Sequence, residues 1–128
     1  MNQYSIFSLV VILQYMIDRS YNKCDTYKGK ILLIIHHIIS VYIYLGGYLF
    51  NSTYHLLFIL FILFHWITNN NNCELTTQTN KYCGYNKDKK FNDIIKQLNL
   101  DELIPNFHYY YLFFMVIYDN HIINQSKK

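Results

Sequence analysis

The sequence predicts an all-α fold, a small transmembrane helical bundle of about four spans with one amphipathic helix on its cytosolic side. Three observations predict it. Apolar blocks alternate with segments rich in Asn and Lys, so hydropathy is concentrated rather than spread. The two central blocks, Ile31 to Phe50 and Tyr54 to Thr68, contain no Lys, Arg, Asp or Glu. The basic residues collect in alternate polar segments, as they do when a chain crosses a bilayer repeatedly. At 128 residues the chain has room for one domain and not for two separate cores, so 1–128 reads as a single membrane domain.

The first block runs from Tyr4 to Ile17 and stops at Asp18-Arg19, giving a span near 3–17. At a rise of about 1.5 Å per residue this is near the lower limit for a hydrocarbon core of about 30 Å. Met1-Asn2-Gln3 carries no charge, and Met16-Ile17-Asp18-Arg19 offers no small-residue cleavage site, so the block reads as a retained helix rather than a signal peptide. The second block, a span near 31–50, supplies 20 residues interrupted only by His36, His37, Ser40 and Gly46-Gly47. Asn51-Ser52-Thr53 is a tight polar turn. A third span near 54–68 then returns as the second arm of a hairpin, with Gly46-Gly47 permitting close helix packing.

The polar loop 69–105 follows. Within it Phe91, Ile94, Ile95 and Leu98 recur at helical spacing, with Asp93, Lys96 and Gln97 opposite and Pro105 as a stop. That pattern predicts an amphipathic helix lying on the membrane surface or packing on the protein itself. The fourth span, near 106–123, begins with Phe107 and His108, contains Tyr109, Tyr110 and Tyr111, and ends around Asp119-Asn120-His121. Tyrosine favours the membrane interface.

Orientation and compartment follow from charge and cysteine. Arg19, Lys23, Lys28, Lys30, Lys81, Lys87, Lys89, Lys90 and Lys96 are nine of the 11 basic residues and fall on one side of a four-span chain. The positive-inside rule makes that side cytosolic, with both termini and the Asn51 turn non-cytosolic. Sequons at Asn51 and Asn124 then lie outside. The net charge of +3 is dispersed, which excludes a nucleic-acid footprint and leaves Lys87, Lys89 and Lys90 to meet lipid head groups. Cys24, Cys73 and Cys83 are odd in number and include no C-x-x-C pair, so they read as free thiols in a reducing compartment.

The candidate chemistry lies at the cytosolic mouth of the bundle. His36, His37 and His65 sit near helix ends at one depth, His108 joins them, and Cys73 follows just outside. Imidazole and thiolate are the donors that zinc, copper or haem iron use, so His36, His37, His65 and Cys73 are the candidate metal ligands. The hairpin geometry brings His65 towards His36 or His37. The alternative is that these histidines reach interfacial water or bond between helices, and adjacent His36 and His37, about 100° apart, cannot both face one partner. No H-E-x-x-H, G-x-S-x-G or phosphate loop is present, and the spans contain no acid before Asp119, which disfavours proton-coupled transport and aspartyl proteolysis.

Two resemblances attach to these residues. The stretch His65-Trp66-Ile67-Thr68-Asn69-Asn70-Asn71-Asn72-Cys73-Glu74-Leu75-Thr76, with Asn80-Lys81-Tyr82-Cys83-Gly84, resembles uncharacterised small multi-pass membrane proteins of large DNA viruses, a resemblance that implies origin and no activity. The His36-His37 pair in an apolar helix resembles the paired histidines of the TRAM-LAG1-CLN8 membrane proteins, where they belong to a lipid-acylating site. Here the accompanying acidic residues are missing, and only the dipeptide matches. The expected function is therefore a non-enzymatic membrane-structural or interaction role. The expected partners are the lipid bilayer and further copies of the chain or other membrane proteins, with no nucleic acid and no cofactor. The alternative is a metal- or haem-binding, or lipid-modifying, membrane enzyme built on the cytosolic-side histidines.

Overall fold

The computed structural model describes residues 2–70, 72–85 and 94–127, and all regular structure among them is helical. Helix α1 spans Gln3–Tyr21, capped by the Asn2 side chain, which accepts from the Ser5 N–H. It passes through Asp18-Arg19 rather than stopping there, because neither residue breaks a helix and the Asn22 N–H still reaches the Asp18 carbonyl. Helix α2 (Tyr27–Leu49) starts at Thr26, whose hydroxyl accepts from the Gly29 N–H at 3.1 Å. Helix α3 (Ser52–Thr68) starts at Asn51, whose carboxamide oxygen accepts from the N–H groups of Thr53 and Tyr54. Each cap satisfies donors that the first turn leaves orphaned.

Segment 69–105, read from sequence as a polar loop, contains a ten-residue helix, α4 (Glu74–Cys83). Glu74 lies in its first turn, Lys81 in its last, and Gly84 at φ 67° ends it in the left-handed conformation that glycine adopts without penalty. Two single turns follow, α5 (Ile94–Gln97) and α6 (Leu100–Leu103), and then α7 (Phe107–Gln125). Instead of one continuous amphipathic helix, the described part of that region is these two turns. Ile95 is buried in the core and Leu98 is exposed, so they do not share a face. Phe91, Asp93, the Ile94 side chain and the cluster Lys87, Lys89 and Lys90 lie outside the described residues.

Helix α2 is the axis of the packing, meeting α1, α3, α4 and α7, while α3 and α7 pair along their length. Ile43, Tyr44, Ile59, Leu63, Ile95 and Leu112 form the main apolar cluster, and Cys24 and Leu33 form a second beneath Tyr15 and Tyr85. Cys24 and Cys83 are joined in a disulfide across 59 residues of sequence, and Cys73 is the free thiol. The reading of three free thiols is thereby corrected. Gly29 is the seat of that bond: a Cβ there would stand 2.5 Å from the Cys24 sulfur and 2.8 Å from the Cys83 sulfur.

Only α2, among the described helices, is long and apolar enough to cross a membrane on length and composition, and α3 is apolar but shorter. The outward faces of the long helices nonetheless carry apolar stripes over most of their length, with exposed polar residues such as Ser5, Ser8, Asn120 and His121 towards the helix ends. Leu9, Ile12, Leu13, Met16 and Ile17 line α1, and Ile31, Ile34, Ile35 and Ile38 line α2. Leu57, Leu60, Phe61 and Phe64 line α3, and Tyr110, Phe113, Phe114 and Ile117 line α7. Each set follows the i, i+3, i+4, i+7 spacing of one helix face. Seven polar residues of these helices point the other way: Gln14, Asp18, His36, His37, Ser40, His55 and Asp119 are all buried.

Candidate functional site

Two buried histidine–carboxylate pairs meet α2, one at His37 near its middle and the other at the Tyr42 and Ile43 carbonyls, closer to its C-terminal end. At the disulfide end, α1 presents Gln14, Asp18 and Asn22 at four-residue intervals, which places them on its inner face. Asp18 and His37 are fully buried, with the carboxylate Oδ2 3.1 Å from Nε2 of the imidazole. The other carboxylate oxygen accepts from the Asn22 amide at 3.0 Å, so both oxygens of Asp18 are satisfied. Beside them the Gln14 amide donates to Ser40 at 3.5 Å, a long contact, and the Tyr15 ring meets the His37 ring edge-on. Arg19 turns outward to donate to the Cys24 carbonyl at 2.7 Å. Burial and the nearby Asp18 carboxylate push the Tyr85 phenol up to about 12, since both disfavour a phenolate.

The second pair is tighter. Nδ1 of His55, on α3, lies 2.6 Å from a carboxylate oxygen of Asp119, on α7, with both side chains fully buried. Nε2 of the same ring faces the carbonyl oxygens of Tyr42 and Ile43, on α2, at 3.0 and 3.2 Å. Carbonyls accept only, so Nε2 carries a hydrogen, and one further proton must bridge Nδ1 and the carboxylate to avoid opposing lone pairs. The pair is thus neutral as a unit, and one imidazole ties three helices together. Gly46-Gly47 makes the space: a Cβ on Gly47 would stand 2.6 Å from Asp119 and 2.8 Å from His55, and one on Gly46 2.5 Å from the His55 ring. Close packing, expected of this glycine pair, is what it provides here.

The four candidate ligands are distributed between different partners. His36 Nε2 lies 3.3 Å from the Thr76 hydroxyl, whereas His37 turns to Asp18 on α1, the divergence that adjacent helical positions impose. Nε2 of His65 accepts from the Glu74 N–H at 3.4 Å, helping to cap α4, and Cys73 is the preceding residue, half-buried. His36 and His65 therefore both reach the first turn of α4, through Thr76 and Glu74. No group of three or more His, Cys, Asp or Glu side chains stands together in a metal-holding arrangement among the described residues. His108 packs edge-on against Trp66.

The sequence reading missed both acids as partners. It ended the first span at Asp18 and left Asp119 unassociated with His55. The signal for Asp18 was present in the Gln14, Asp18, Asn22 interval opposite an apolar stripe. Each of these two imidazoles has a carboxylate within hydrogen-bond distance, an arrangement that can hold a proton and tie helices together. A separate cleft of about 750 Å³ between the start of α1 and the α2–α3 corner is lined by Tyr4, Phe7, Tyr42, Phe50 and Tyr54 and contains no acid, histidine or thiol. No family model, curated protein or solved structure matches the chain.

Proposed function

We propose that the chain is a multi-pass integral membrane protein with a non-enzymatic, structural or interaction role, in which α1, α2, α3 and α7 all cross the bilayer. The observation that carries this reading is the inverted distribution of polarity. Apolar stripes face outward on all four helices, and Asp18 with His37 and His55 with Asp119 are buried in pairs between them. In water such a surface would be far larger than the apolar patches that soluble monomers expose, whereas in lipid it is the expected exterior. Length agrees: 23, 17, 19 and 19 residues in α2, α3, α1 and α7 correspond to roughly 26 to 35 Å against a hydrocarbon core of about 30 Å. Helices α1 and α7 are less apolar in composition, and three of their polar residues, Gln14, Asp18 and Asp119, are interior.

The two pairs act as interhelical locks in this reading. Along α2 the two pairs stand about five residues, or about 8 Å, apart, from His37 to the Tyr42 carbonyl that His55 faces, with the buried Ser40 in the interval. The disulfide bears on orientation, because disulfides persist where thiols are not kept reduced. A covalent cross-link outweighs a bias in the count of basic loops, so the α4 end faces the non-cytosolic side and the termini and Asn51 turn face the cytosol. This reverses the orientation that the basic residues alone predict. Alkaline carbonate extraction of expressing membranes tests the integral assignment: the chain stays in the pellet if it spans, and release to the supernatant would overturn the reading.

A further inference from the structure

We infer that α4 is a disulfide-latched cover over the Asp18–His37 end of the bundle, which opens when the Cys24–Cys83 bond is reduced. This rests on what holds α4 against α2 besides that bond, which is polar at both ends of the helix and apolar in little more than Leu75 and Tyr82. Its one buried residue is Thr79, and its only large apolar side chains are Leu75 and Tyr82, so it contributes little apolar burial of its own. Polar contacts hold its two ends. At the first turn, Thr76 meets His36, and the Glu74 N–H donates to His65. At the last turn, the Thr26 hydroxyl donates to the Tyr82 carbonyl at 2.6 Å, and the Lys28 ammonium sits 5.7 Å from the Tyr82 ring centroid. Beyond it, Tyr85 closes over Cys24 and Leu33 with its buried hydroxyl unbonded among the described residues.

The elements beneath are differently supported. α1, α2, α3 and α7 pack on one another through the main core and the two histidine–carboxylate pairs, none of which involves α4. Opening the latch therefore leaves the bundle assembled and uncovers His36, which Thr76 of α4 meets, while His37 stays turned to Asp18 on α1. The step itself is a two-electron reduction. The sulfur–sulfur bond breaks, each sulfur takes up a proton, and a thiol reductant of the glutathione class is oxidised to its own disulfide. In an oxidising compartment the cover is shut; transfer to a reducing one opens it.

Hydrogen exchange on the full chain in lipid nanodiscs, with and without dithiothreitol, tests this together with diethyl pyrocarbonate modification of histidine. On reduction, amides of Glu74–Cys83 should exchange at least about tenfold faster and His36 should become modifiable, while amides of α2 and α3 keep their protection. The double variant Cys24→Ser/Cys83→Ser should reproduce the open state without reductant. Two results would overturn the inference: α4 protection within about twofold of the oxidised protein, or loss of protection in α1 and α2 in parallel with α4, which would make the bond a global staple rather than a latch. Because carbonate extraction reads membrane insertion and exchange reads α4 release, failure of one is distinguishable from failure of the other.

Discussion

Asp119→Ala is the substitution that most sharply separates a structural lock from an incidental contact. The carboxylate is fully buried and holds Nδ1 of His55 at 2.6 Å, while Nε2 stays committed to the carbonyls of Tyr42 and Ile43. Removing one member of a buried pair in a soluble core costs about 3 to 5 kcal/mol, whereas single interhelical hydrogen bonds in membranes average about 0.6 and reach about 1.7 kcal/mol. Here one ring serves acceptors on α2 and α7 at once, so the cost should fall between these limits, about 2 to 4 kcal/mol. Asp119→Asn behaves differently. Its amide can donate to Nδ1 of a neutral His55 that keeps its Nε2 hydrogen, and the loss should shrink to about 1 kcal/mol. Gly47→Ala, whose Cβ would stand 2.6 Å from the carboxylate, should cost about 1 to 3 kcal/mol alone and somewhat less in the Asp119→Ala background, where that approach is relieved and those to Met115 at 2.7 Å and His55 at 2.8 Å remain. Unfolding by dodecyl sulfate in mixed micelles, followed by circular dichroism, measures all four. If Asp119→Ala stays within about 0.5 kcal/mol of the parent, or Asn is as damaging as Ala, the account of this pair is wrong.

Two further outcomes follow from the disulfide end. Gly29→Ala places a methyl group 2.5 Å from the Cys24 sulfur and should leave a measurable fraction of Cys24 and Cys83 reactive to maleimide in unreduced protein, where the parent alkylates at Cys73 only; the stability at stake is the cross-link's, about 4 kcal/mol for a loop of 59 residues. Tyr85→Phe bears on alkaline pH. The unfolded chain loses this phenolic proton near 10 while the folded chain retains it to about 12, so the parent loses stability as pH rises through that window, and the variant should show a flatter profile in a pH series of the same unfolding measurement.

Much of the helical framework is legible because lipid-length apolar blocks without charges leave few alternatives, and α2 and α3 begin and end within a few residues of where composition places them. Helix α4 escaped for the opposite reason. It lacks an apolar stripe, and its end signals, Glu74 at the start and Gly84 at the close, specify termini without specifying a helix between them. Asp18 reads as the edge of a span when charge is taken to mean exit from the bilayer. In the fold it is the middle of an inward polar row, and His37, one helix away, is what makes its burial tolerable. The pairing of Cys24 with Cys83 is likewise set by how α4 docks on α2, which an odd number of cysteines conceals. His36, His37, His65 and Cys73 share a region of the chain, yet helical geometry sends them to Thr76, Asp18, Glu74 and the α3–α4 corner respectively.

The central claim, that all four long helices meet lipid, is tested most directly by spin labels placed one at a time at Ile12→Cys, Phe61→Cys and Phe113→Cys in a Cys73→Ser background, with the disulfide left intact. These positions are exposed on α1, α3 and α7. Power-saturation spectroscopy in bilayers compares collisions with oxygen, which concentrates in hydrocarbon, and with a water-soluble nickel chelate. The account predicts high oxygen and low nickel accessibility at all three sites; nickel accessibility at Ile12 or Phe113 matching that of a label in water would contradict it.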